Sequence, residues 1–421
     1  MPEDLKPVMP PPSRRQDGSG YGKPAGRHDA RLTEVGPGTP CGELMRRYWH
    51  PVGRSATTNE RPKKVRILGE DLILFRDQSG RPGLLHAPCC HRGTTLFYGK
   101  VERDGIRCCY HGWLFDVIGH CLEQPCEPEG GLHRDRVRQP WYPVEERYGL
   151  VFAYLGPLDR KPPLPHYDVL EDLGPNEILE VEAKSFYIRG GYTEEEPHAP
   201  YSWLQNWENV MDPYHVLILH SRFTGPQFRR EFEISPKVEW CFLDHGVAAE
   251  SLRTLEDGRR FRRLTQVLLP NVRIVPSIEL TEGQGREVAW LVPVDDHTHR
   301  SFGVARVGKD EEPLYERRSR LATHEGKIWA EMTEDEHQRL PDDYEAQLGQ
   351  GSISSHSDEH LVTSDRGIVM LRRLLLRQIA AVEEGKDPLG ADALAPAHRI
   401  SVKAGNYFQE EPTTESEKPS P

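Results

Sequence analysis

The chain has 421 residues, a formal net charge of −12, 36 % hydrophobic and 29 % charged residues. That length allows two or three domains with a sizeable core, and the acidic balance argues against a nucleic-acid partner. No apolar run approaches the roughly 18 residues of a membrane span and the N-terminus has no apolar leader segment, so a cytoplasmic protein away from the membrane is expected.

Residues 1–30 are rich in Pro, Gly and charge, and 406–421 are similar, so both read as tails that bury too little apolar surface to offset their ordering entropy. A domain over 31–160 follows. Its strands are short: Lys64–Leu68 and Leu72–Arg76 around a Gly-Glu-Asp turn, then Gly83–His86, and later Tyr148–Leu155. Four prolines between Gly156 and Pro165 suggest a linker into a second domain over 161–405. There a mixed segment, Trp203–His220, precedes longer strands at Val238–Leu255, Arg260–Leu269, Ile274–Leu280 and Val288–Val294, with Asp257-Gly258 as a two-residue turn. A helix closes the domain. Ser364-Asp365 caps it, Gly385 ends it, and Ile368, Leu371, Leu375, Ile379 and Val382 form its core-facing stripe. The fold class is therefore α+β, an all-β domain followed by a strand-rich domain with a terminal helix.

Two constellations carry chemistry. Six of the eight cysteines lie between Cys89 and Cys126, which favours metal ligation over a disulfide framework. Within that stretch, Cys89-Cys90-His91-Arg92-Gly93 is followed by Cys108-Cys109-Tyr110-His111-Gly112-Trp113, with sixteen residues between His91 and Cys108. Each loop offers one thiolate and one imidazole, the mixed set that a Rieske [2Fe–2S] cluster needs, with two imidazoles on one of its irons. Tetrahedral zinc is the competing occupant, but zinc knuckles more often pair Cys with Cys. Gly93 and Gly112 let the backbone bend tightly beside the metal.

The second constellation is Asn209, Asp212, His215 and His220, with a carboxylate downstream. Two His and one carboxylate on one face suit non-haem Fe(II) and leave positions open for O₂ and substrate. On a regular α-helix His215 and His220 stand about 140° apart. A π-type turn brings them to roughly 50°, so a distorted helix or a helix end is expected between them. Asp212 either fixes the imidazole of His215 through its carboxylate or caps a new helix with Pro213 at its first position. The third ligand lies in Pro341–Gln347, where Asp342, Asp343 and Glu345 are candidates.

These motifs resemble the Rieske non-haem iron oxygenases, whose loops typically read C-P-H-R-G and C-P-Y-H-G-W and whose iron motif runs E-N-x-x-D-x-x-H-x₄-H. Cys90 and Cys109 stand where the family commonly has proline, and are expected as small buried packing residues, with a redox role or a Cys90–Cys109 bridge as the alternatives. The resemblance covers about 31–405 and points to the phthalate dioxygenase-like branch, through Gly36–Val52, Trp290–Asp296 and Gly349–Ile368. It implies Cys89, His91, Cys108 and His111 as cluster ligands, and His215, His220 and Asp343 as ligands of a mononuclear Fe(II). It further implies Asp212 as a bridge to the cluster of a neighbouring subunit, Asn209 beside the iron, a helix-grip catalytic domain and a homotrimer. Electrons would come from an NAD(P)H-dependent reductase, directly or through a ferredoxin, since the chain has no GxGxxG fingerprint in a βαβ unit. The substrate class implied is an aromatic acid or a lignin-derived methoxy-aromatic, oxidised by hydroxylation, dihydroxylation or O-demethylation. Trp203–Asp212 and His220–Phe228 resemble biaryl O-demethylases. Arg222, Arg229 and Arg230 are candidate carboxylate holders, though a solvated surface is the plainer reading. The competing functions are a non-catalytic Rieske electron carrier, which needs only the first constellation, and a zinc-stabilised scaffold.

Overall fold

The computed structural model describes residues 20, 23–182, 199–223, 228–312, 323–324, 327–328, 331–394 and 399–409. Most of the expected tails lie outside these residues. The parts that fall inside them are ordered by specific contacts. Arg27 and Asp29 hydrogen-bond Ser357 and His356, and Gly405–Gln409 is a strand on Arg260–Leu268. The tail boundaries therefore move to the outside of these segments. Local composition could not show partners more than a hundred residues away.

The first half is built from three small antiparallel sheets. Trp49–Arg54, Leu150–Tyr154 and Val144–Arg147 form one, and Lys63–Ile67, Glu70–Arg76, Pro82–His86 and Trp141–Tyr142 the second. Lys100–Glu102, Gly105–Arg107, Leu114–Phe115 and Cys121–Glu123 make the third. Alternation along Glu70–Arg76 feeds two cores: Leu72 and Leu74 join the large one, while Ile73 and Phe75 join a smaller one with Leu85, Ile106, Phe115, Cys89 and Cys108. Gly36–Val52 is packing structure: Thr39 caps the helix Pro40–Met45, and Leu44 and Met45 are fully buried.

The second half is a curved antiparallel sheet in the order 177–182, 299–308, 287–293, 272–274, 260–268, 246–254, 237–243. The helix Arg366–Glu383 lies across it. Leu371, Leu375 and Ile379 are buried, Ile368 and Val382 half-buried, and Gly385 leaves the helix at φ +75°. The arrangement is the expected helix-grip. Three details differ. Val238–Leu255 is two strands, because Asp244-His245 turns the chain so that Leu243 pairs with Gly246. Ile274–Leu280 stops being strand at Ile274, ahead of Pro276 and of Leu280 at φ +59°. The strand His299–Gly308 was not legible, since arginines interrupt its alternation.

The proline-rich segment 156–165 is packed rather than a free linker: Trp49 Nε1 donates to the Pro162 carbonyl at 2.8 Å, Arg147 to that of Leu164, and Leu164 is buried. Phe152 packs edge-on against Trp290 at 5.5 Å, so one core spans both halves. Among the described residues no helix is long and apolar enough to cross a membrane.

Two candidate metal centres

The two cysteine-histidine loops fold alike. In the first, Cys89 N–H donates to the Thr94 carbonyl and Gly93 N–H to that of Cys89; in the second, Cys108 donates to Trp113 and Gly112 to Cys108. Gly93 and Gly112 adopt φ +77° and +73°, which only glycine takes without strain, and so each loop turns back on itself. This directs Cys89 and Cys108 into the small core, where both are buried, and stacks the His91 ring on Trp113 at 4.3 Å. His91 and His111 meet edge-on, 4.6 Å between centroids. Two thiols within hydrogen-bond reach of each other and two imidazoles beside them are the donor set for a cluster bound half by sulfur and half by nitrogen. The hydrogen bond that the Cys89 thiol donates to Cys90, and then burial, pushes Cys89 far up, and burial raises Cys108. Loading a metal there must displace protons.

Cys90 and Cys109 are exposed, not buried as expected, and every cysteine is a free thiol. The loop geometry explains it: drawing Cys89 inward turns the next residue outward. Sequence reasoning missed Gln139, which is fully buried. It accepts from Cys90 N–H and donates to the His86 and Pro88 carbonyls, all at 2.8 Å, pinning the first loop.

The second centre begins with a buried helix, Trp203–Asn209, which ends just before Asp212. Asp212 caps the next helix, Pro213–Leu217, with Pro213 at its first position. Its Oδ1 accepts from the Tyr214 and His215 amides at 3.0 and 3.4 Å. Because the carboxylate is engaged there, Nδ1 of His215 meets the Asp212 backbone carbonyl instead, and Oδ2 lies 3.9 Å off. The ring is fixed by Asp212, but through its main chain. From Ile218 to Phe223 the helix widens to a π-helix, the distorted-helix alternative of the two that the five-residue spacing allowed.

His215 Nε2 and His220 Nε2 thereby converge on Asp343 Oδ1, at 3.5 and 3.2 Å. Donor atoms of these three residues all lie within 4.8 Å of one another, which fits one two-His, one-carboxylate metal ion. Asn209 Nδ2 donates to the same Asp343 oxygen at 3.1 Å. Burial raises the Asp343 carboxyl, but His220, His215 and the Asn209 amide outweigh it and hold the group well below the usual carboxylate range. Asp342 Oδ1 lies 3.4 Å from the other nitrogen of His220 and is raised by burial and by Asp343. Asp342 and Glu345 form the capping box of the helix Asp343–Leu348, which separates them in role from Asp343. Two neighbours were not legible. Phe228 stacks on His220 at 4.4 Å, and Arg372 grips Glu208, beside Asn209, at 2.5 and 2.8 Å. Arg222, Arg229 and Arg230 are exposed, and residues 224–227 of the adjoining stretch lie outside the described residues.

A family model for the Rieske [2Fe-2S] domain matches residues 48–143. The phenoxybenzoate dioxygenase alpha subunit of Ectopseudomonas oleovorans is 52 % identical over 404 residues, 95 % of this chain and 96 % of that one. The 5,5'-dehydrodivanillate O-demethylase oxygenase subunit of a Sphingobium species is 35 % identical over 407 residues, 90 % and 88 % of the two chains. Among solved structures, NdmB of Pseudomonas putida CBB5 superposes with a TM-score of 0.61 at 20 % identity, covering 87 % of this chain and 98 % of that one, a likeness of fold. A carrier or a zinc scaffold does not account for relatives that are oxygenase subunits along their length.

Proposed function

Since the chain belongs to the Rieske non-haem iron oxygenases, as an oxygenase alpha subunit, we propose that its substrate is an aromatic acid with two rings, of the phenoxybenzoate kind, and that it adds O₂ to one ring. The family makes it a terminal oxygenase with a Rieske cluster and a mononuclear iron, fed with electrons by separate reductase or ferredoxin partners. The observation that carries the substrate reading is the 52 % identity with the phenoxybenzoate enzyme from end to end. Oxidative O-demethylation of a biaryl acid is the second reading, favoured by the identity with the dehydrodivanillate enzyme.

In this reading Cys89, His91, Cys108 and His111 hold the cluster, and His215, His220 and Asp343 hold the iron. When bound, the cluster supplies single electrons and the iron binds and activates O₂. The chain's own residues set the stage. Asn209 keeps the Asp343 oxygen turned toward both imidazoles, the Asp212 carbonyl fixes the His215 ring, and Phe228 covers His220 against water. Asp212 is the bridging carboxylate. Its place in the iron motif, three residues before His215, is what supports this role, with the cluster histidine supplied by a neighbouring subunit of a homotrimer. A cytoplasmic location belongs to the same reading.

The test is O₂ uptake by the purified protein with an NADH-dependent reductase, on a panel of phenoxybenzoates, methoxylated biaryl acids and neutral aromatics. Coupled uptake with oxygenated product from a phenoxybenzoate supports the proposal; formaldehyde release from the methoxylated acids alone favours the second reading. Turnover confined to neutral aromatics overturns both.

A further inference from the structure

The strand pair Gly246–Thr254 and Arg260–Leu268 places an unusual group on the inner face of the sheet. Arg253 opposes Phe261 and Ser251 opposes Arg263, so all four side chains share one face with Ala249 of the core. Arg253 is 2 % and Arg263 8 % exposed. The outward-facing Arg262 between them is paired with Glu250 at 2.6 Å. Neither buried arginine lies within ion-pair distance of a carboxylate among the described residues. Burial of a cation without an anion is costly. It pushes Arg253 down to about 10, while burial and the charge of Arg253 push Arg263 down to about 9, so both stay cationic near neutral pH.

Their hydrogen bonds differ. Arg263 is held by the Ser277 and Pro276 carbonyls and by Asn406 Oδ1, at 2.7–3.0 Å. Arg253 donates from Nε to the Ile234 carbonyl and from Nη1 to Ser251, and among the described residues its Nη2 makes no hydrogen bond. Both guanidinium groups sit over the Phe232 ring, 5.4 and 5.3 Å from its centroid. Phe232 touches Phe228 at 5.7 Å, and Phe228 stacks on His220. An aromatic run thus leads from a candidate iron ligand to two buried positive charges, one with a donor to spare.

We propose that Arg253, backed by the charge of Arg263, is the anion subsite that holds the substrate carboxylate, with the substrate's rings lying along Phe232 and Phe228 toward His220. This rests on the aromatic-acid reading above and names the residues that would enforce it. The carboxylate would supply the missing counter-charge and accept from Nη2.

The test is calorimetric titration of the anaerobic holoenzyme with 3-phenoxybenzoate and with its neutral analogue 3-phenoxybenzyl alcohol. The wild type is expected to favour the acid, and Arg253→Gln to cut the acid-to-neutral affinity ratio roughly 30-fold, as truncating one side of a desolvated charge pair does. Arg253→Lys should restore part of the ratio, which a purely structural role would not predict. Iron content and the reduced cluster spectrum report folding. If Arg253→Gln fails to fold, the methyl ester of the acid on the wild type reads the same contact and should lose a similar factor. An unchanged ratio in a folded Arg253→Gln, with the wild type still preferring the acid, overturns the subsite and leaves the substrate reading standing. A wild type that binds no aromatic acid overturns both.

Discussion

Replacing Arg372 with methionine removes a cation held between two carboxylates, and it should loosen the second metal centre from behind. Arg372 donates to both oxygens of Glu208 at 2.5 and 2.8 Å and to both of Glu359 at 2.5 and 2.9 Å. Glu208 is 6 % exposed and lies in the helix that delivers Asn209 to Asp343. Breaking one side of a buried ion pair costs about 3–5 kcal/mol. Glu359 is partly solvated and contributes little, so a loss of about 3 kcal/mol is expected. Burial already raises the Glu208 carboxyl above its ordinary value although Arg372 lowers it; without the guanidinium it rises further. A carboxyl raised in the folded state costs stability where it is ionised, so the deficit should be full near pH 8 and shrink toward pH 5 as Glu208 takes a proton. Urea unfolding at the two pH values measures it, and adding Glu208→Gln to Arg372→Met should recover most of the loss. A deficit under about 1 kcal/mol, or one equal at both pH values, would refute the reasoning.

Asp343→Asn should keep the cluster and lose the mononuclear iron, whereas Asp342→Asn should retain it with affinity reduced about 10–100-fold, as for an outer partner of a ligand; metal analysis after dialysis separates the two. Asp212→Ala should hold both metals yet lose nearly all coupled turnover, checked by comparing product formed with O₂ consumed; normal coupling removes its bridging role. Glu70 joins Arg46, Tyr142 and His86 at 2.6, 2.7 and 3.2 Å. Burial opposes its ionisation, but His86, Tyr142 and Arg46 overcome this and hold its pKa at about 2. A depressed carboxyl stabilises the fold above its ordinary pKa and loses that contribution as pH falls toward 2. Glu70→Gln should therefore cost ~3 kcal/mol at neutral pH and little in acid, read from unfolding curves across that range.

What could be read from the sequence was what lies close along the chain. Each cluster loop spans only a few residues, so residue type and spacing nearly dictate its geometry. The five-residue step from His215 to His220 pointed to a distorted helix or a helix end, and of the two a π-helix stands there. Asp343 was reached by register rather than by physics, and its distances to both imidazoles match that placement. Contacts between distant strands were not legible. Arg253 and Arg263 look like any charged strand residues until pairing shows that they share a buried face, while the arginines that did attract notice, Arg222, Arg229 and Arg230, are exposed. The prolines between Gly156 and Pro165 read as a linker for the same reason: the Trp49 and Arg147 donors that pack the segment come from strands formed earlier in the chain. Glu208 and Arg372, 164 residues apart, carried no signal at all.

The measurement that bears most directly on the two-centre account is electron paramagnetic resonance, with iron and sulfide quantitation, on anaerobically purified protein before and after dithionite. The account predicts a Rieske signal on reduction with about three irons and two sulfides per chain. Two irons with that signal would contradict the assignment of His215, His220 and Asp343 as an iron site, and stoichiometric zinc without a signal would contradict both centres.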